Sequence, residues 1–257
     1  MIVELHNKTK KNIGDFYCNP SRYFNFSKYQ SKRLNNRHVV TNKILVIGGG
    51  GLIHKHFSCN IQSLLDQKPK ASILWGVGHN SKGYPTTTTY YPDWTKRFDL
   101  VGIRDWIPGH YDSYLPCVSC MHPAFNKKYK TQTDVVFYLR THPNTVKYQD
   151  DGVKIMKNSN QNGFDEIIKF LGGAQTIVTD SYHGAFWGQL LGKDVRLVNW
   201  SVKMNHMKVK PTLINSIEDW KLSAPSEINL THLKEARDLN KIFYQKFLNL
   251  INYKISN

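Results

Sequence analysis

The chain has 257 residues, enough for one large or two small domains. Hydrophobic residues at 40%, charged residues at 21% and an aromatic set of 14 Tyr, 12 Phe and 6 Trp exclude a disordered chain and fit a globular one. The formal net charge of +16 attracts polyanions, anionic membrane surfaces or phosphorylated substrates without choosing among them, and a lysine-rich solubility surface is the plainer reading.

The basic residues are spread along the chain with no block of five like charges, so a nucleic-acid-binding tail is not expected. No stretch has the apolar length of a membrane span, and Met1-Ile2-Val3-Glu4 does not open a signal peptide. A cytoplasmic protein with reduced thiols is the expectation. Cys117 and Cys120 form one C-x-x-C with no second pair, so no metal site is expected there.

Taken in order, strands alternate with helices. Lys43 to Ile47 is a short apolar run ending in Gly48 to Gly51. Ser72 to Val77 is another, ending at Gly78-His79-Asn80, and Leu100 to Ile103 a third, ending at Arg104-Asp105. These read as buried parallel strands whose carboxyl ends carry glycine or polar residues. Ligands of open α/β sheets bind beyond such ends, so all three are expected to face one cleft.

A second set starts near Thr133. Val135 to Leu139 reads as a strand ending in Arg140, and Val153 to Met156 as another. Asn162 is expected to cap a helix whose apolar residues Phe164, Ile167, Ile168 and Leu171 follow i, i+3, i+4, i+7 spacing, with Gly172-Gly173 ending it. Thr176 to Thr179 reads as a strand, Tyr182 to Leu191 as a helix and Val195 to Val198 as a strand. Pro211 and Pro225 obscure the stretch from Ser201 to Ser226. From Thr231 to Ile255 an amphipathic helix is expected, with Leu233, Ala236, Leu239, Phe243, Phe247 and Leu250 on one face. Thr86 to Thr89 is the one low-complexity run, and no internal repeat is visible. The fold expected is α/β with two Rossmann-like domains, residues 1–125 and 126–257, divided in the Pro- and Lys-containing stretch from Cys117 to Thr133.

Three constellations carry chemistry. Thr179-Asp180-Ser181-Tyr182-His183-Gly184 joins a strand to a helix start, where unpaired N–H groups and a partial positive charge receive anions beside a proton-transfer residue, His183. Arg104 and Arg140 end strands and suit bidentate binding of carboxylate or phosphate, with a salt bridge to Asp105 or Asp99 as the structural alternative for Arg104. Gly48 to Gly51 permits close backbone approach, with Gly49 and Gly50 as candidate ligand contacts and tight packing as the alternative. It is not a dinucleotide fingerprint, because Ile53 stands at the last glycine position, and no G-K-[ST] follows, so it is not a P-loop. His79 and His54 are weaker candidates.

In this order the motifs resemble the polysaccharide pyruvyl transferase family. The matching stretches are Asn12-Ile13-Gly14-Asp15, Val46 to Ile53, Trp75 to Asn80, Val101 to Asp105, Val178 to Ala185 and Leu191 to Val195. Many relatives carry Asp-Pro-Ser where this chain has Pro116-Cys117-Val118-Ser119-Cys120. The resemblance implies a fold similar to GT-B glycosyltransferases and transfer of pyruvate from phosphoenolpyruvate to a sugar as a ketal. It implies no metal or resident cofactor, a saccharide or lipid-linked saccharide acceptor, a first domain on the acceptor side and a second on the donor side. The site it implies has His183 as proton donor, with Asn12, Asp15, Gly49, Gly50, His79, Arg104, Arg140, Ser181, Tyr182 and Gly184 binding substrate. The basic surface makes peripheral contact with the inner membrane face a further expectation. A metal-independent GT-B glycosyltransferase using a nucleotide sugar is the competing reading, and a non-enzymatic polyanion binder a third.

Overall fold

A computed structural model describes residues 1–8, 12–80, 91–141, 152–159 and 161–256. Thr86 to Thr89 lies outside the described residues. The chain divides into two compact units. The first comprises Met1–Lys8, Asp15–Ser119 and Ala236–Asn257, the second Thr9–Gly14 and Cys120–Glu235.

The first unit is built on a five-stranded parallel sheet of β1 (Ile2–His6), β2 (Tyr29–Arg33), β3 (Ile44–Ile53), β4 (Ala71–His79) and β5 (Leu100–Ile103), in the order β2-β1-β3-β4-β5. Ile2 pairs with Tyr29 on one side and Ile44 on the other, and Ile44 pairs with Ala71. Every residue of β1 and β4 is buried, as in a sheet covered on both faces. After a one-turn helix α1 (Ile13–Phe16), the helix α2 (Lys55–Asp66) packs its Ile61 and Leu64 with Leu5, Ile47 and Leu74. His54 caps that helix by accepting from the His56 N–H at 3.1 Å.

β1 eluded the hydropathy reading because Glu4 and His6 interrupt it, although both are buried. The Glu4 carboxylate is satisfied by the Ser21 N–H (2.9 Å) and hydroxyl (2.6 Å). β2, Tyr-Gln-Ser-Lys-Arg, was missed because it is a polar, largely exposed edge strand. The glycine run is corrected: it does not follow a strand but lies within β3, with Gly48 opposite Trp75 and Gly50 opposite Val77.

The second unit repeats the arrangement. Its strands are β6 (Thr133–Arg140), β7 (Lys154–Asn158), β8 (Ala174–Thr179), β9 (Asp194–Val198) and β10 (Thr212–Ile214), all parallel, in the order β10-β9-β8-β6-β7. Counted within its own unit, each sheet reads 2-1-3-4-5, so strand order reverses between β1 and β3 in the first and between β6 and β8 in the second. This repeat of topology has no counterpart in sequence self-similarity. Of the obscure stretch, Thr212 to Ile214 forms the edge strand directly after Pro211.

The helix α3 (Phe164–Gly172) carries the expected buried face of Phe164, Ile167, Ile168 and Leu171. Its N-cap is Gly163, while Asn162 donates instead to the Lys157 carbonyl. Gly173 closes it in right-handed geometry at φ −77°, so no left-handed glycine turn ends this helix. The helix α4 (Tyr182–Leu190) is buried at all nine positions, which makes it a core helix and not a one-faced surface helix.

The final helix α5 (His232–Ser256) buries Ala236, Asn240, Phe243, Phe247 and Ile251, while Leu233, Leu239 and Leu250 are half-buried. Asn240 accepts from the Trp75 indole N–H at 3.1 Å and donates to the Pro116 carbonyl at 3.1 Å. From Ala236 onward the helix therefore belongs with the first unit, whereas the sequence reading assigned residues 126–257 to one domain. Among the described residues no helix is long and apolar enough to cross a membrane.

Candidate functional site

In the second unit the Thr179 to Gly184 motif sits where strand order reverses. β8 ends at Thr179, whose hydroxyl donates to the Tyr138 carbonyl (2.5 Å) and accepts from the Ser181 N–H (3.0 Å). Ser181 is extended (φ −104°, ψ 127°), and its hydroxyl caps α4 by accepting from the Gly184 N–H at 3.3 Å. A Cβ on Gly184 would stand 2.5 Å from both the Thr179 hydroxyl and the Tyr138 ring, so glycine is what lets the helix start press onto the strands. The motif's hydroxyls build the turn, and Ser181 fills one of the donors the sequence reading assigned to a ligand.

Arg140, at the end of β6, meets Asp180 at the end of β8. The Arg140 N–H and Nε donate to the two oxygens of the Asp180 carboxylate at 2.7 and 3.0 Å. The guanidinium lies 3.5 Å from the centroid of the Trp200 ring, and the Trp200 indole N–H donates to the Asp180 carbonyl at 2.7 Å. Asp180 thus holds Arg140 in one orientation against an aromatic face, while the Arg140 side chain stays 30% exposed. Lys203 adds a second cation 4.6 Å from the same ring.

Asn158 joins three candidates. It is the last residue of β7, 3% exposed, and its Nδ2 donates to Asn12 Oδ1 and to the Ser181 hydroxyl, both at 3.2 Å. Its Oδ1 accepts from the Tyr138 hydroxyl at 3.0 Å, and burial pushes that phenol's pKa up. Asn12 Oδ1 also accepts from the Gly14 N–H at 3.1 Å. Asn158 and Trp200 were missed in the sequence. A polar residue at the carboxyl end of β7 was the available signal for Asn158.

His183 is 4% exposed, between the Tyr182 ring (5.5 Å, edge-on) and the Trp187 ring (5.3 Å). A Cβ on Gly14 would lie 2.0 Å from its Nδ1, so Gly14 makes room for the imidazole. Asn12, Gly14, Arg140, Ser181, Tyr182, His183 and Gly184 therefore gather in one unit.

The remaining candidates lie in the first unit. His79 and Asp105, at the ends of β4 and just past β5, are both fully buried, with Nδ1 2.6 Å from Oδ2 and the His79 N–H donating to the same oxygen at 2.7 Å. Burial pushes the Asp105 carboxyl up, but the His79 hydrogen bonds and the His79 and Arg104 charges outweigh it and hold the pKa below the usual carboxylate range. Arg104 is 2% exposed, and a Cβ on Gly78 would lie 2.6 Å from Arg104 Nε and from Asp105 Oδ1. Asp99 is not its partner: that carboxylate binds the Ser72 N–H and hydroxyl and Lys254.

Asp15 accepts from the Asn7 side chain at 2.8 Å, and its backbone carbonyl accepts the Cys18 thiol. The Gly49 N–H donates to the Cys18 carbonyl at 3.1 Å, and a Cβ there would sit 3.1 Å from two carbonyl oxygens. Gly50 has φ +99°, with Asp15 Oδ1 3.3 Å from its would-be Cβ. The glycines thus serve close packing of the Asp15 to Cys18 segment on β3.

No protein-family model matches the chain, and no curated protein matches it. Among solved structures it is similar to the crystal structure of an uncharacterized protein from Klebsiella pneumoniae, with 18% identity over 83% of this chain and 92% of that chain, at a TM-score of 0.50. Likeness at that identity speaks to fold alone: an α/β chain with two parallel five-stranded sheets, consistent with two Rossmann-like domains.

Proposed function

We propose that the chain is a pyruvyl-transferase-like enzyme of GT-B-like fold. On this reading it moves pyruvate from phosphoenolpyruvate onto two hydroxyls of a sugar in a cell-surface polysaccharide or its precursor. One observation carries it: a half-exposed arginine, a capped helix start and a buried histidine gather at the strand-order reversal of the second sheet. Phosphoenolpyruvate carries a carboxylate and a phosphate, and Arg140 held on Trp200 offers its outer guanidinium nitrogens to one of them. The α4 N-terminus, with its partial positive charge, favours the other.

Proton transfer to the enol carbon makes the central carbon electrophilic, and His183 is the donor. Two sugar oxygens bond to that carbon and the phosphate leaves. Of the two protons released by the hydroxyls, one ends on the new methyl group and one on the phosphate. The reaction needs no redox partner. The enzyme works in the cytoplasm, at the inner membrane face when its acceptor is lipid-linked.

Thermal unfolding with a ligand panel tests the reading. Phosphoenolpyruvate at about 100 times its Kd adds roughly 2.7 kcal/mol of stability. That gain is lost in Arg140→Gln, while His183→Ala still binds but releases phosphate at least ~100-fold more slowly in the presence of an accepted sugar. Stabilisation by a nucleotide sugar and none by phosphoenolpyruvate would overturn pyruvyl transfer in favour of glycosyl transfer.

A further inference from the structure

The first unit holds a cavity of about 290 Å³ that the reading above does not use. His6 enters it from the end of β1, Lys8 from just beyond, Ser31 from β2, and Asn19 and Arg22 from the turn at Pro20–Arg22. It therefore lies along the β1–β2 edge of the sheet, with His6 at the carboxyl end of β1 and Tyr29 and Ser31 at the first and third positions of β2. Gly48 of β3 lies against the same place: a Cβ there would be 3.5 Å from His6 Cβ and 3.6 Å from Asn19 Cα.

The lining has three basic side chains and no carboxylate. Arg22 is fixed: its Nε lies 3.4 Å from Asn19 Oδ1, and its guanidinium is 4.8 Å from the Phe16 centroid and 4.5 Å from that of Tyr17. Among the described residues neither Arg22 nor Lys8 forms an ion pair. The nearby acid on β1, Glu4, is fully buried and bonded to Ser21. A positioned guanidinium, an ammonium and an imidazole beside hydroxyl and amide groups form a receptor for an oxyanion. Phe16 and Tyr29 supply flat apolar walls of the kind a sugar ring packs on.

We propose that this cavity binds a phosphorylated sugar, with the phosphate held by Arg22, Lys8 and His6. The site stands independently of the donor chemistry at Arg140. Burial lowers the His6 pKa, Glu4 opposes that shift, and Lys8 and Arg22 add to it.

Calorimetric titration of the full chain with glucose 1-phosphate, glucose and inorganic phosphate tests it, with phosphoenolpyruvate titrated in parallel. Glucose 1-phosphate is expected to bind, glucose not to, and inorganic phosphate to bind more weakly. Arg22→Gln is expected to weaken glucose 1-phosphate about tenfold. Lys8→Gln, on an exposed residue that threatens no core contact, weakens it several-fold and steepens no other effect. Neither variant changes phosphoenolpyruvate binding, so failure of this site and failure of the donor reading are separable. Equal affinity of the wild type and Lys8→Gln for glucose 1-phosphate, or binding of glucose as tight as that of its phosphate, would overturn the proposal.

Discussion

The two units share one strand order and use its reversal point differently. In the second, the space between the ends of β6 and β8 is filled by polar contacts: Arg140 on Asp180, Ser181 on Asn158, Asn158 on Asn12. In the first, the Asp15 to Cys18 segment packs on the glycines of β3: the Gly49 N–H bonds the Cys18 carbonyl, and the Asp15 carboxylate, bonded to the Asn7 side chain, lies beside Gly50. Its buried His79–Asp105 pair stands at β4 and β5 instead. Topology alone therefore does not make a site. A glycine-rich strand end signals close approach, and whether a ligand or another piece of chain approaches is decided elsewhere.

The largest expected effect comes from Gly14→Ala. The added methyl would fall 2.0 Å from His183 Nδ1, so the imidazole must turn away. Phosphate release from phosphoenolpyruvate is expected to fall as far as in His183→Ala, about 100-fold or more, with the fold retained by circular dichroism. Full activity in Gly14→Ala would break the assignment of catalysis to the second unit.

Gly49→Ala is the matched change in the first unit. Its methyl meets Cys18 and two carbonyl oxygens at 3.1 Å, contacts that only backbone movement relieves. A loss of roughly 1–3 kcal/mol in urea unfolding is expected, with phosphoenolpyruvate affinity unchanged. Lost affinity at unaltered stability would show the glycine run to be a ligand cradle after all.

The smallest effect is a pH limb. Asp105 has a folded pKa below its unfolded value, so its contribution to stability is full above the ordinary carboxylate range and is lost as pH falls through the depressed value. Asp105→Asn should flatten the acid side of the stability–pH curve below about pH 4. An unchanged acid limb in that variant would assign the acid sensitivity to other carboxylates.

Much of the fold was legible because parallel strands are apolar runs: β3 to β9 were located from hydropathy, with β7 expected over Val153 to Met156 and found at Lys154–Asn158, and α3 from its 3.6-residue period. β1 was not, because its Glu4 and His6 carry polar groups satisfied by residues 17 to 25 positions away, which no local window sees. The final helix was located but its buried face was rotated. Asn240 is polar and yet central, since the Trp75 indole and the Pro116 carbonyl satisfy it.

By itself the sequence determined the alternating α/β pattern and the strand-to-helix position of His183, since both follow from periodicity and turn chemistry within a few residues. Only the tertiary structure decided that Asp180 orients Arg140, that Asn158 ties Asn12 to Ser181, that Gly14 makes room for His183, and that the glycine run is strand. Those contacts span 40, 146, 23 and 169 (183 minus 14) positions for Arg140–Asp180, Asn12–Asn158, Asn158–Ser181 and Gly14–His183. Strand register and helix docking create them, and neither is encoded in any local stretch of residues.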